Sequence, residues 1–121
     1  MPVHALAHIT GDGFLNLTRV EARVGMRIET LPAPPPVFAV LQRLGGIEDA
    51  EMYRVFNMGI GFCVIVPPEH EARAIAILGA HGKACQRIGT VVEDAQERVW
   101  IEPAGLVGRA GEGFASADAA P

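Results

Sequence analysis

Two glycine-rich segments, residues 8–14 (HITGDGF) and 56–61 (FNMGIG), constrain most strongly how this chain can fold. Glycine permits sharp turns and lets the backbone come close to another group, so each segment predicts a turn or a close approach. The first segment leads into a predicted amphipathic helix, and the second leads into an apolar strand. The sequence therefore predicts two ordered loops, each able to lie beside a phosphorylated ligand.

Composition limits the class of protein. The 121 residues fit one domain, and 50% hydrophobic with 20% charged residues is ordinary for a globular protein. A net charge of −4 without a basic stripe argues against a nucleic-acid partner. No apolar run approaches the ~20 residues that span a bilayer, so no membrane partner is expected. The two cysteines lack metal-ligand spacing, and we expect a reducing, cytoplasmic location.

Hydrophobic periodicity predicts helices and strands mixed at short spacing, which is typical of an α+β domain with one mixed sheet. The predicted helices cover residues 13–23, 36–44, 48–55 and 69–80, and Gly25 is predicted to end the first of them. The predicted strands cover residues 26–29, 60–66, 86–93 and 97–102, and the last two are predicted to pair with each other through a polar turn. The run 60–66 is nearly all apolar, which is typical of a strand covered on both faces. Residues 103–121 are rich in alanine and glycine, and we expect them to be a disordered tail.

The first loop offers a candidate phosphate site. Amides at a helix N-terminus lack intrahelical partners, and Gly11 and Gly13 would let an anion approach them, although a plain helix cap at Thr10 explains the same residues. Asp12 either helps to hold a divalent cation or points to solvent. His8 either acts on a substrate as an acid or base or is structural.

The second loop offers a candidate polar contact. The Asn57 side chain has a donor and an acceptor, so it either binds a ligand or closes an Asx turn. The sequence contains no P-loop, zinc or catalytic-triad pattern. The residues alone therefore predict a domain that can bind phosphate, with its chemistry left open.

Several stretches in order resemble aminoimidazole ribonucleotide synthetase, also called phosphoribosylformylglycinamidine cyclo-ligase. Residues 8–13 resemble the family's H-I-T-G-G-G segment, and residues 51–61 match E-M-Y-R-x-F-N-x-G-I-G. Residues 35–38 with 41–42, and residues 88–89, agree in the same order. The resemblance covers about residues 5–102 and implies the family's layered α/β/α C-terminal domain, which we place at residues 1–102.

The resemblance implies a function for the complete enzyme. The family uses ATP and Mg²⁺ to convert formylglycinamidine ribonucleotide into aminoimidazole ribonucleotide, ADP and phosphate in purine biosynthesis. It also implies a homodimer and an N-terminal domain, absent here, that supplies most nucleotide and metal contacts, so we expect this chain alone to be inactive. The residues carried over as substrate or phosphate contacts are His8, Thr10, Gly11, Gly13, Asn57 and Gly59.

Position 12 departs from the family pattern, because Asp12 stands where the synthetase has glycine. This difference leaves two alternatives beside the cyclo-ligase. The chain could come from a divergent relative that acts on another substrate. It could also be a stand-alone phosphate- or nucleotide-binding module without catalysis.

Overall fold

The computed structural model of this chain describes residues 2–119, which form seven strands, three α-helices and short 3₁₀ helices. The strands are β1 (Ala5–His8), β2 (Val24–Ile28), β3 (Phe62–Ile65), β4 (Gly89–Glu93), β5 (Val99–Ile101), β6 (Leu106–Arg109) and β7 (Gly113–Ser116). The α-helices are α1 (Pro36–Gly45), α2 (Asp49–Val55) and α3 (Glu71–Ala80). The 3₁₀ helices are Gly13–Arg19, Pro68–His70, Glu102–Ala104 and Ala117–Ala119. The predicted α+β class is confirmed.

The strands divide between two sheets. Five strands form a mixed sheet in the order β4-β2-β5-β6-β7, in which β2 and β5 run parallel and the other neighbours run antiparallel. Strands β1 and β3 form a separate two-stranded antiparallel sheet. The sequence predicted that the strands now labelled β4 and β5 would pair with each other. Instead, β2 lies between them, with β4 on one of its edges and β5 on the other.

The core centres on the 3₁₀ helix Gly13–Arg19, which contacts β1, β5, β6 and α2. Phe14 on this helix is completely buried, as are Met52 of α2 and Val99 and Ile101 of β5. The element that follows the first glycine-rich loop therefore joins the two sheets. The burial of Phe14 anchors the loop that precedes it.

The predicted helix over residues 13–23 is wrong in length and type, since the structure has a 3₁₀ helix that ends at Arg19. Gly25, predicted to end that helix, lies inside β2. A Cβ atom at Gly25 would come within 2.7 Å of Trp100 Cζ3, so glycine leaves room for the indole ring. The sheet therefore begins at Val24, and residues 20–23 form a bend that leads into it instead of a further helical turn. Pairing of β2 with its neighbours outweighs the local helical periodicity.

The predicted disordered tail differs from the structure as well. Within residues 103–121, the segments 106–109 and 113–116 form β6 and β7, an antiparallel pair that extends the five-stranded sheet. Leu106 is 7% exposed and belongs to the core. Residues 120–121 of the predicted tail lie outside the described residues.

Helix α1 agrees with its predicted bounds to within one residue. Pro36 stands in its first turn, and Gly46 ends it at a φ of 60°. Its apolar residues Val37, Val40, Leu41 and Leu44 are exposed, with Leu44 at 78%. Within residues 2–119, none of the helices combines the length and apolar character needed to cross a lipid bilayer.

Candidate functional site

The two glycine-rich loops lie at the same end of the two-stranded sheet, where β1 ends and β3 begins. Strand β1 ends at His8 and β3 begins at Phe62, and these two residues face each other in the antiparallel register. Just beyond them, the amide of Ile9 donates a hydrogen bond to the carbonyl of Gly61 over 2.9 Å. The structure therefore brings together the two segments that carry the sequence-predicted site residues.

Gly13 packs the first loop closely against the C-terminal end of α2 and the residue that follows it. Its φ is 54°, and a Cβ atom on it would lie 2.0 Å from the carbonyl oxygen of Tyr53 and 2.9 Å from that of Phe56. Its amide donates to the carbonyl of Thr10 over 2.9 Å and closes a turn. A close approach is thus observed at Gly13, as its sequence context predicted. Here the neighbour is protein backbone, and the amide is engaged within the loop.

Thr10 and Gly11 form the open part of the loop. Both are exposed, and a Cβ atom built on Gly11 would meet no heavy atom within 4 Å. The space above Gly11 is therefore available to a ligand. Among the residues carried over for the first loop, Gly11 is the one with open space at its Cα, whereas Thr10 is exposed but has its amide and its carbonyl hydrogen-bonded within the protein.

Asn16 supports this loop from below, and sequence reasoning did not single it out. Its Oδ1 accepts a hydrogen bond from the amide of Thr10 over 2.7 Å. Asn16 is 2% exposed, and its buried Nδ2 has no hydrogen-bond partner among residues 2–119. A polar residue between Leu15 and Leu17 was the available signal, because an amide inside an apolar run needs a partner.

Asn57 closes an Asx turn, which confirms the structural alternative for this residue. Its Oδ1 accepts from the amide of Gly59 over 2.8 Å, and its carbonyl accepts from the amide of Ile60 over 3.0 Å. Gly59 has a φ of 99°, and a Cβ atom there would lie 2.6 Å from Pro35 Cδ. The second loop is therefore shaped by its own side chain and by the proline-rich segment.

His8 lies at the end of β1 with its side chain exposed. Its ring is tilted against that of Phe62, with 6.3 Å between the ring centroids. It projects from the same face of the two-stranded sheet as Leu6, since the two residues are two apart on β1. His8 is thus adjacent to the loops but belongs to the sheet surface.

Asp12 borders a separate open cleft of about 540 Å³ between the 3₁₀ helix Gly13–Arg19, α2 and the turn that joins β6 to β7. Its carboxylate pairs with Arg19 at 3.5 Å. Arg54, also in the cleft, hydrogen-bonds to Glu51, and this bond lowers the pKa of Glu51. The charges around the cleft are therefore balanced locally. Across residues 2–119, no three or more histidine, cysteine, aspartate or glutamate side chains cluster as metal ligands would.

Comparison with known proteins decides the family. The family model described as "AIR synthase related protein, C-terminal domain" matches residues 1–102. This chain belongs to that family. The resemblance stated from the sequence is thereby confirmed. The two segments that carry it, residues 8–13 and 51–61, meet where β1 ends and β3 begins.

Several curated relatives of the chain carry the name phosphoribosylformylglycinamidine cyclo-ligase. The protein from Methanocaldococcus jannaschii is 47% identical over 94 residues, which are 78% of this chain and 27% of the relative. The protein from Methanothermobacter thermautotrophicus is 52% identical over 77 residues, which are 64% of this chain and 22% of the relative. The protein from Methanosarcina barkeri is 48% identical over 91 residues, which are 75% and 26%. The chain thus spans about a quarter of the length of these relatives.

Proposed function

We propose that this chain provides the C-terminal part of a phosphoribosylformylglycinamidine cyclo-ligase. The observation that carries the proposal is the 47% identity over 94 residues to a relative of that name. The proposed reaction converts formylglycinamidine ribonucleotide and ATP into aminoimidazole ribonucleotide, ADP and phosphate. In this reaction ATP phosphorylates the amide oxygen of the substrate, and an internal nitrogen then displaces phosphate to close the ring.

The role assigned to this chain is to position a phosphorylated ligand. Gly11 lies beside open space just after the end of β1, and the buried side chain of Asn16 holds the neighbouring Thr10 through its amide. Preorganised polar groups of this kind stabilise phosphoryl transfer by placement and charge, without a covalent step. Asn57 and Gly59 shape the facing loop, and His8 lies next to it.

The described residues do not make a magnesium site of their own. The carboxylate in the first glycine-rich loop, Asp12, is paired with Arg19, and Mg²⁺ requires several oxygen ligands in octahedral geometry. We therefore assign Mg²⁺ and most ATP contacts to the part of the enzyme that corresponds to the rest of the relatives. It follows that this chain alone is inactive. We place the complete enzyme in the cytoplasm as a homodimer.

The test is to produce this chain together with the N-terminal three quarters of the Methanocaldococcus jannaschii relative. We expect phosphate release that depends on both ATP and formylglycinamidine ribonucleotide. ATP turnover with a different substrate would favour a divergent relative. Ligand binding without turnover would favour a stand-alone module, and either outcome would contradict the cyclo-ligase.

The loop assignment has its own test in the same assay. Gly11→Val places a branched side chain in the open space where the ligand is expected, so substrate-dependent phosphate release should fall at least ~100-fold, as expected when a positioning contact is lost. Gly79→Val is the matched control, since a Cβ atom there also meets nothing within 4 Å and Gly79 lies on α3. Equal activity of the two variants would show that the loop is not the ligand site.

A further inference from the structure

The two-stranded sheet has one face that the described residues leave bare. The register pairs Leu6 with Val64 and His8 with Phe62, so these four side chains share a face, which we call the outer sheet face. Leu6 is 62% exposed, Phe62 is 54% exposed and Val64 is 38% exposed. Three large apolar side chains thus lie together in water, with His8 as their polar neighbour.

The other face of the same sheet is part of the core. Ala7 is buried, and Cys63 and Ile65 pack against the core cluster. The sequence of β3 is apolar on both faces, a pattern typical of strands that are covered on both sides. The structure covers one side of β3, so the pattern and the packing disagree at Phe62 and Val64.

The sheet is also too small to be independent. Within residues 2–119 it consists of β1 and β3 alone, so each strand has one edge without a strand partner. Two-stranded sheets are marginal in water and gain stability from a third strand or a covering layer. Open edges beside an apolar face are typical of surfaces that pair with further polypeptide.

We propose that the outer sheet face is the docking surface for the polypeptide that makes up the other three quarters of the relatives. This inference rests on the proposed function. The relatives match this chain over only 22–27% of their length, so most of the enzyme lies outside the described surface. The face ends at His8, two residues before the open loop at Thr10, so polypeptide docked on it would lie beside the candidate phosphate site.

The test measures association of this chain with the N-terminal three quarters of the Methanocaldococcus jannaschii relative, co-produced and affinity-tagged. Val64→Glu would place a charge in the middle of the apolar contact, and we expect at least ~30-fold weaker association. Val91→Glu is the matched control, because Val91 is a strand valine of similar exposure, 41%, on β4 of the other sheet. We expect this control to bind within about twofold of the unmodified chain.

Hydrogen exchange gives a second readout that does not depend on a variant. Amides of residues 62–65 should exchange at least ~10-fold more slowly in the complex than in the chain alone, since docking covers β3. Unchanged exchange there, or equal association of Val64→Glu and the unmodified chain, would overturn the docking surface and leave the proposed function intact.

Two further outcomes separate the remaining possibilities. Failure of the unmodified chain to associate at all would overturn the proposed function and the docking partner together. Dimerisation of the chain alone that Val64→Glu abolishes would show that a second copy covers the outer sheet face, which also overturns the proposal. Circular dichroism of each variant establishes that it is folded before association is measured.

Discussion

At the scale of single residues, the two glycines of the first loop have different structural roles. Gly13 has a φ of 54° and its missing side chain leaves room for the Tyr53 carbonyl, whereas Gly11 faces open space. Gly13→Ala should lower the free energy of unfolding by about 2–4 kcal/mol, because it adds backbone strain and a steric clash. Gly11→Ala should stay within about 0.5 kcal/mol of the unmodified chain.

Urea unfolding followed by the fluorescence of Trp100 measures both variants of the first loop. The Gly11→Ala variant is the control, because it makes the same glycine-to-alanine change in the same loop without a steric clash. Equal free energies of unfolding for the two variants would contradict the packing role of Gly13. The result would then favour a loop that does not lie against α2.

The cysteines differ in burial, and this difference predicts their reactivity. Burial raises the pKa of Cys63 to about 11, whereas Cys85 is exposed. Because the thiolate is the nucleophile, iodoacetamide at pH 8 should modify Cys85 at least ~10-fold faster than Cys63. Peptide mass spectrometry measures the two rates. In denaturant both cysteines should react at similar rates. Rapid modification of Cys63 in the folded chain would contradict its packing against the core.

At the scale of elements, β6 and β7 show that an alanine- and glycine-rich segment can form an ordered pair of strands. The composition of residues 103–121 predicted disorder, yet Leu106 enters the core and Phe114 packs against it. A Cβ atom at Gly108 would come within 2.6 Å of the Phe114 ring, so this glycine leaves room for the aromatic side chain. The average composition of the segment does not predict the burial of Leu106 and Phe114, because that burial depends on a sheet formed with strands distant in sequence.

A substitution pair tests these strands directly. Leu106→Ala should lower the free energy of unfolding by about 2–4 kcal/mol, because it removes a buried side chain from the core. Val107→Ala, one residue along on the opposite face of β6, should cost less than about 1.5 kcal/mol. Thermal unfolding by circular dichroism compares them. A neutral Leu106→Ala would mean that the tail is disordered after all.

At the scale of the whole molecule, local signals predicted the elements better than their arrangement. Proline and glycine marked the two ends of α1, and the charges Asp49 and Arg54 marked the two ends of α2, since these are short-range effects. The insertion of β2 between β4 and β5, and the pairing of β1 with β3, join residues far apart in sequence. The meeting of the two loops follows from that β1–β3 pairing. It could be expected from the family resemblance, but not from periodicity.

The stability of the whole molecule should depend on Asp94, which holds the connection between β4 and β5. Its carboxylate accepts hydrogen bonds from the Arg98 side chain and from the amides of Arg98 and Gln96. The Arg98 hydrogen bond is the main cause that lowers the pKa of Asp94 from 3.8 to about 2. A lowered pKa means that the folded state favours the charged carboxylate.

The sign of the pH dependence follows from that shift. The stabilisation is fully present above about pH 4 and is lost as the pH falls through the folded-state pKa near 2. Asp94→Asn should therefore lower the free energy of unfolding by about 1–2 kcal/mol at pH 7, with a difference that shrinks between pH 4 and pH 2. Glu112→Gln is the control, because the pair of Glu112 with Arg109 is exposed and should contribute little. Urea unfolding at pH 7, 4, 3 and 2 measures the difference, and a penalty for Asp94→Asn that does not change with pH would show that the charge of Asp94 is not its source.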